Sequence, residues 1–103
     1  MRVIWHKRAV AALQQIEGYV LENFGEKARK EFVADVEQVV ELLSSTPEMG
    51  RIDPLFAHRK QTYRSIIIRR LNKLVYYVKD DTIRIVAFWD TRREPKVQAG
   101  RVR

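Results

Sequence analysis

The side chains of this 103-residue sequence best suited to chemistry are cations. Arg64, Arg69, Arg70 and Lys73 fall close together, and Arg92-Arg93 follow further along. Several guanidinium groups around a phosphate hold it bidentately and stabilise charge that builds up during transfer. The same groups can grip a phosphate or carboxylate with no reaction, and a solvated charge run is the plain alternative. Other chemistries lack their residues. With no cysteine, a disulfide scaffold, a Cys-ligated zinc and a thiol nucleophile are excluded. His6 and His58 lie far apart, without metal-ligand spacing, and read as surface or loop residues. Gly-x-Ser-x-Gly, the Walker loop and Gly-x-Gly-x-x-Gly are all missing, so hydrolase, nucleotidase and dinucleotide readings have no support. No metal and no cofactor is expected. Tyr76, Tyr77, Phe88 and Trp89 have rings that can stack on bases, but their place within apolar runs reads as core.

The charge that surrounds these cations is unevenly placed. The formal net charge is +7, yet residues 1–50 carry a net of −2 and residues 51–103 a net of +9. A one-sign surface raises encounter rates with the opposite charge, so the second half suits an anionic partner: RNA, DNA or an acidic protein segment. At 46% hydrophobic, with four Gly and three Pro, the chain reads as one folded domain rather than a disordered or low-complexity one. No apolar run approaches the ~18–20 residues of a membrane span, and the N-terminus lacks a signal-peptide core. A cytoplasmic location is the expectation.

The elements that must position the cations follow from periodicity. Arg2 to Trp5 alternates weakly and reads as a short strand. Val10, Leu13, Ile16, Val20 and Phe24 then recur at helical spacing, as do Ala28, Phe32, Val36, Val39 and Leu43 after a break at Gly25. Ser44-Ser45-Thr46-Pro47 ends the second helix, because proline cannot continue the ladder. Two amphipathic helices joined by a tight turn form an antiparallel hairpin whose apolar stripe needs a cover. Three β-rich runs supply it: Tyr63–Ile68, Leu74–Val78 and Ile83–Trp89. Leu71-Asn72 and Lys79-Asp80-Asp81-Thr82 read as the turns of an antiparallel meander. Strict alternation puts Ile83, Ile85, Ala87 and Trp89 on one face of the last strand and Arg84, Val86, Phe88 and Asp90 on the other. Within that meander, Arg69, Arg70 and Lys73 converge on one hairpin, and Lys73, Arg92 and Arg93 are expected toward one edge. The fold class is therefore α+β: a short N-terminal strand, then a helical hairpin packed on an antiparallel sheet.

In this order and spacing the chain resembles the RelE/ParE superfamily of toxins from type II toxin–antitoxin systems. The resemblance covers residues 2–96. It rests on Leu43-x-x-x-Pro47-x-x-Gly50 after the second helix, Tyr63-Arg64 opening the sheet, and Asn72-Lys73-Leu74-Val75-Tyr76-Tyr77. The Asp80-Asp81-Thr82-Ile83 turn and Trp89-Asp90-Thr91-Arg92-Arg93-Glu94-Pro95 complete it. It implies a single toxin domain over 1–96 with a basic tail at 97–103. It also implies a cognate antitoxin, a small protein whose acidic C-terminal segment folds on binding.

Two targets divide such a family. RelE-like members are ribosome-dependent ribonucleases that cut mRNA by attack of a ribose 2′-hydroxyl on the adjacent phosphate. On that reading Lys73 and Arg92 match basic active-site positions, with Arg64 or Arg93 assisting. Against it, Ile66 and Ile68 stand where such members carry lysines, and no tyrosine follows Tyr77. His58 could replace the missing acid–base group only by folding over the sheet. ParE-like members lack the catalytic set and poison DNA gyrase. The long hairpin and the apolar Ile66-Ile67-Ile68 strand favour this side, with Arg64, Arg69, Arg70, Lys73, Arg92 and Arg93 as contacts for target or antitoxin. A basic binding module without toxicity is the remaining alternative.

Overall fold

The computed structural model describes residues 1–92, 99, 100 and 102. The helical hairpin forms as its periodicity dictates. Strand β1 (Arg2–Trp5) leads into helix α1 (Lys7–Phe24), whose start is capped by His6: the Arg8 backbone N–H donates to His6 Nδ1 at 3.2 Å. Gly25, at φ 92°, is the only residue between α1 and α2 (Glu26–Ser45). A side chain there would be strained, and the glycine lets one residue both end a helix and begin the next. Arg29 fastens the two helices, its guanidinium reaching Glu17 of α1 at 2.9 Å while also pairing with Glu26.

The sheet has five strands in the order β1-β5-β4-β3-β2. Strands β3 (Arg64–Ile68), β4 (Asn72–Lys79) and β5 (Thr82–Asp90) form the expected meander. β1 adds parallel to β5, and a two-residue strand β2 (Arg51–Ile52), which periodicity is too short to reveal, adds to β3. The second turn falls where expected, with Asp80 and Asp81 both at positive φ. The first is displaced. Arg69 and Arg70 take the positive-φ positions, and Asn72 already opens β4 opposite Ile68.

A larger correction concerns β5. Val75 pairs with Ala87 while its neighbour Tyr76 pairs with Ile85, so Val86 is an extra residue and the strand bulges. Alternation therefore changes phase. Ile83, Ile85 and Phe88, rather than Ile83, Ile85, Ala87 and Trp89, face the helices, and Trp89 turns to the other side. The hairpin's Ala9, Phe32, Val36 and Leu43 close over Ile68, Leu74, Tyr76 and those β5 residues as the main core.

The second face of the sheet is also covered. A 3₁₀ turn (Pro54–Phe56) brings Phe56 onto Tyr63, Val75 and Trp89, and Ala99 and Val102 of the C-terminal segment pack in the same cluster. Phe56 stacks on Tyr63 with ring centroids 4.8 Å apart. Tyr76, the largest fully buried side chain, instead ties the loop after α2 to the sheet. Its hydroxyl accepts from the Gly50 N–H at 2.9 Å and donates to the Pro47 carbonyl at 2.7 Å. A Cβ on residue 50 would sit 2.6 Å from that hydroxyl, so the approach requires glycine. Burial pushes the phenol's pKa above its ordinary value, which keeps the donating proton in place. Tyr76→Phe strips both partners and is expected to cost about 1–3 kcal/mol in urea denaturation. An unchanged midpoint would show that the loop is held by other means.

Candidate functional site

The described cations do not share one anion site. Lys73, Arg64, Arg69 and Arg92 each have a different partner. Lys73 lies on the second face, where its register neighbours are Ile67 on β3 and Trp89 on β5. Its ammonium is 2.5 Å from Asp53 Oδ2 and 5.3 Å from the Trp89 ring centroid. The pair is shielded from water: 15% of the Lys73 side chain and 2% of the Asp53 side chain are exposed. Asp53 is positioned by its own chemistry. Immediately before Pro54, it caps the 3₁₀ turn by accepting the Leu55 N–H at 3.0 Å. Burial raises the Asp53 pKa, but the Lys73 ammonium and the Leu55 N–H outweigh it and hold the carboxyl below the usual aspartate value.

Arg64 faces the loop after α2, donating to the Gly50 carbonyl at 2.8 Å and the Glu48 carbonyl at 3.3 Å. Arg69 reaches back to Asp35 of α2 at 3.1 Å. Arg70 is exposed in the same turn. Arg92 follows β5 and folds onto Asp90, with Nη2 to Oδ2 at 2.6 Å and its backbone N–H on Oδ1 at 2.8 Å. That bond raises the guanidinium's already high pKa, so Arg92 is always charged. Arg93 lies outside the described residues. Lys73 pairs in register with Trp89 near the end of β5 that Arg92 follows, and each of the two cations has its own ion pair, one enclosed and one open. His58 is exposed and accepts from its neighbour Arg59 Nε at 3.3 Å. Among the described residues no three His, Cys, Asp or Glu side chains are grouped to hold a metal ion.

Sequence reasoning missed a groove beside Arg92. It runs between α1 and the far end of β4 and β5, with a volume of about 460 Å³, and Tyr19, Phe24, Leu71, Asn72 and Arg92 are among its walls. Tyr19 and Phe24 meet edge to face, 6.3 Å between centroids, and Phe24 is 67% exposed. The signal was present: a helical stripe that continues to Phe24 at the hairpin tip, beyond the reach of the sheet, leaves apolar rings uncovered. The arrangement offers an apolar floor with open arginines near it. It suits binding, and the carboxylate beside Arg92, that of Asp90, is engaged in the ion pair with it.

The comparisons with known proteins agree with this architecture. A family model described as the ParE toxin of a type II toxin–antitoxin system, parDE, matches residues 3–95. Among solved structures, one titled as the chromosomal ParDE TA system from P. aeruginosa superposes with a TM-score of 0.70 at 21% identity. The superposition covers 87% of this chain and 95% of that one. No curated protein gives a significant match.

Proposed function

The chain belongs to the ParE toxin family of type II toxin–antitoxin systems, and from that premise we propose that it arrests growth by binding DNA gyrase in the cytoplasm. The observation that carries the reading is the state of Lys73. A ribonuclease of the RelE kind needs that ammonium free to grip a phosphate together with Arg92. Here Asp53 neutralises it and Trp89 roofs it. What stays open is a binding surface: the groove beside Arg92, the exposed rings of Tyr19 and Phe24, and Arg70 at the adjoining turn.

The same surface suits neutralisation by an antitoxin with an acidic segment, since arginines beside an apolar floor complement carboxylates flanking apolar anchors. No helix among the described residues is long and apolar enough to cross a membrane. Pulse labelling within minutes of induction tests the target: thymidine incorporation is expected to fall before leucine incorporation. If leucine incorporation collapses first, translation is the target and the gyrase reading is wrong. Arg70→Ala with Arg92→Ala is expected to raise the protein concentration that half-inhibits gyrase by about tenfold, through lost rim charge. Arg92 is exposed and its substitution leaves the thermal midpoint in place. Equal potency would remove these arginines from the interface.

A further inference from the structure

Three further cations, Arg2, Lys79 and Arg84, meet on the face of the sheet turned from the helices, at the opposite end of β4 from Lys73. Val3 and Trp5 of β1, and Ile83 and Ile85 of β5, pack toward the helices, so alternation turns Arg2, Ile4 and Arg84 to the other side. Tyr77 of β4 packs in the second cluster, and Lys79, two residues on, shares its face. Register sets two rows across these three strands: Ile4, Arg84 and Tyr77 in one, and Arg2, Thr82 and Lys79 in the next. Lys73 stands about 20 Å away along β4, at roughly 3.3 Å per residue. Arg84 is partly buried, and its Nε is enclosed without a hydrogen-bond partner. None of the three cations has an ion-pair partner among the described residues. The Asp80 and Asp81 carboxylates of the adjoining turn are exposed and pair with none of them. A guanidinium only donates, so an enclosed Nε with no acceptor weakens the fold, and an anion drawn to the outer nitrogens would offset its charge.

We propose that Arg84, with Arg2 and Lys79, holds phosphates of a DNA backbone against this face. Two guanidinium groups and an ammonium on neighbouring strands match a run of phosphates, and the planar Arg84 can grip one of them bidentately. Thr82, the residue between Arg2 and Lys79, is polar and gives an acidic peptide no apolar seat between its charges. A sugar–phosphate backbone needs none. The proposal rests on the gyrase reading for the source of the DNA. Binding to DNA is measured without gyrase, so either can fail while the other stands.

The test uses the full chain labelled with nitrogen-15, a short DNA duplex, pyrophosphate and polyglutamate. The duplex is expected to shift the Arg84 Nε–H resonance and to leave that of Arg29, paired on the helical hairpin, in place. Three phosphate contacts give log affinity against log salt a slope of about −2.7, and Arg84→Gln should reduce it to about −1.8. Arg84→Lys keeps the charge and should keep the slope. Lys79→Gln, at an exposed position, gives the same reduction and serves if the Arg84 variant disturbs folding. An unmoved Arg84, polyglutamate or pyrophosphate binding as tightly as the duplex, or a slope unaffected by the substitutions would overturn the proposal.

Discussion

Asp53→Ala is expected to cost about 3–5 kcal/mol of folding stability. The cost comes less from the lost attraction than from what is left behind. Lys73 is enclosed by the sheet and Trp89, so its ammonium would stay buried without a counter-charge. The 3₁₀ turn would also lose its cap on Leu55. Replacing both partners, with Asp53→Leu and Lys73→Met, removes the orphaned charge and should recover most of the loss. Urea denaturation of the wild type, the single variant and the double variant reads this directly. A single variant as stable as the wild type would mean that Lys73 escapes to water and that the enclosed pair is not structural.

The same pair fixes an acid limb. Lys73 and Leu55 hold the Asp53 pKa in the folded chain below its unfolded value of about 3.9. Between the two values the unfolded chain binds more protons, so stability rises with pH. The contribution is present in full above the unfolded value and is lost as pH falls through the folded one. Asp53→Asn should therefore flatten the stability profile below about pH 4 and leave its slope at neutral pH unchanged. A profile that stays as steep in the variant would assign the acid limb to other carboxyls.

Phe88→Ala is the second large effect, at about 3–5 kcal/mol. Phe88 is 2% exposed and meets Phe32 of α2 edge to face, with ring centroids 6.2 Å apart. It reaches the helices only because Val86 is an extra residue in β5. Val86→Ala, on a partly exposed position, should cost about 1 kcal/mol. Unbroken alternation would place Val86 and Phe88 together on the face away from the helices. Similar small losses for both substitutions would support that alternation and contradict the bulge.

Why the helices were legible and this strand was not comes down to contrast between faces. Val10 through Leu43 present one apolar stripe against polar remainders, and Gly25 is the only residue that lets the chain reverse so sharply. In β5 both faces are apolar, because the second is covered by Phe56, Ala99 and Val102. Val86 and Ala87 can then face either way without a hydropathy penalty, and a change of phase leaves no mark. The turn after β3 is misplaced for a related reason. Arginine has no preference for positive φ, so Arg69 and Arg70 give no turn signal, while Asn72 gives a false one.

The cations show the same limit at the site. Their clustering along the chain was visible, but whether a cation is free depends on residues far from it. Asp53 precedes Lys73 by a loop and a strand, and only the 3₁₀ turn brings its carboxylate across. The Asp53-Pro54 pair was a readable cap signal, yet nothing in it names Lys73 as the partner. Arg64 has a comparable fate, since the carbonyls it satisfies belong to a loop that β2 docks against β3.

The measurement that bears most directly on the gyrase reading is the effect of the purified chain on DNA gyrase. Supercoiling should be inhibited and gyrase–DNA cleavage complexes should accumulate, with the Asp53→Leu, Lys73→Met double variant as potent as the wild type once shown to be folded. Supercoiling left intact, together with mRNA cleavage on translating ribosomes that the double variant cannot perform, would contradict the account and return Lys73 to catalysis.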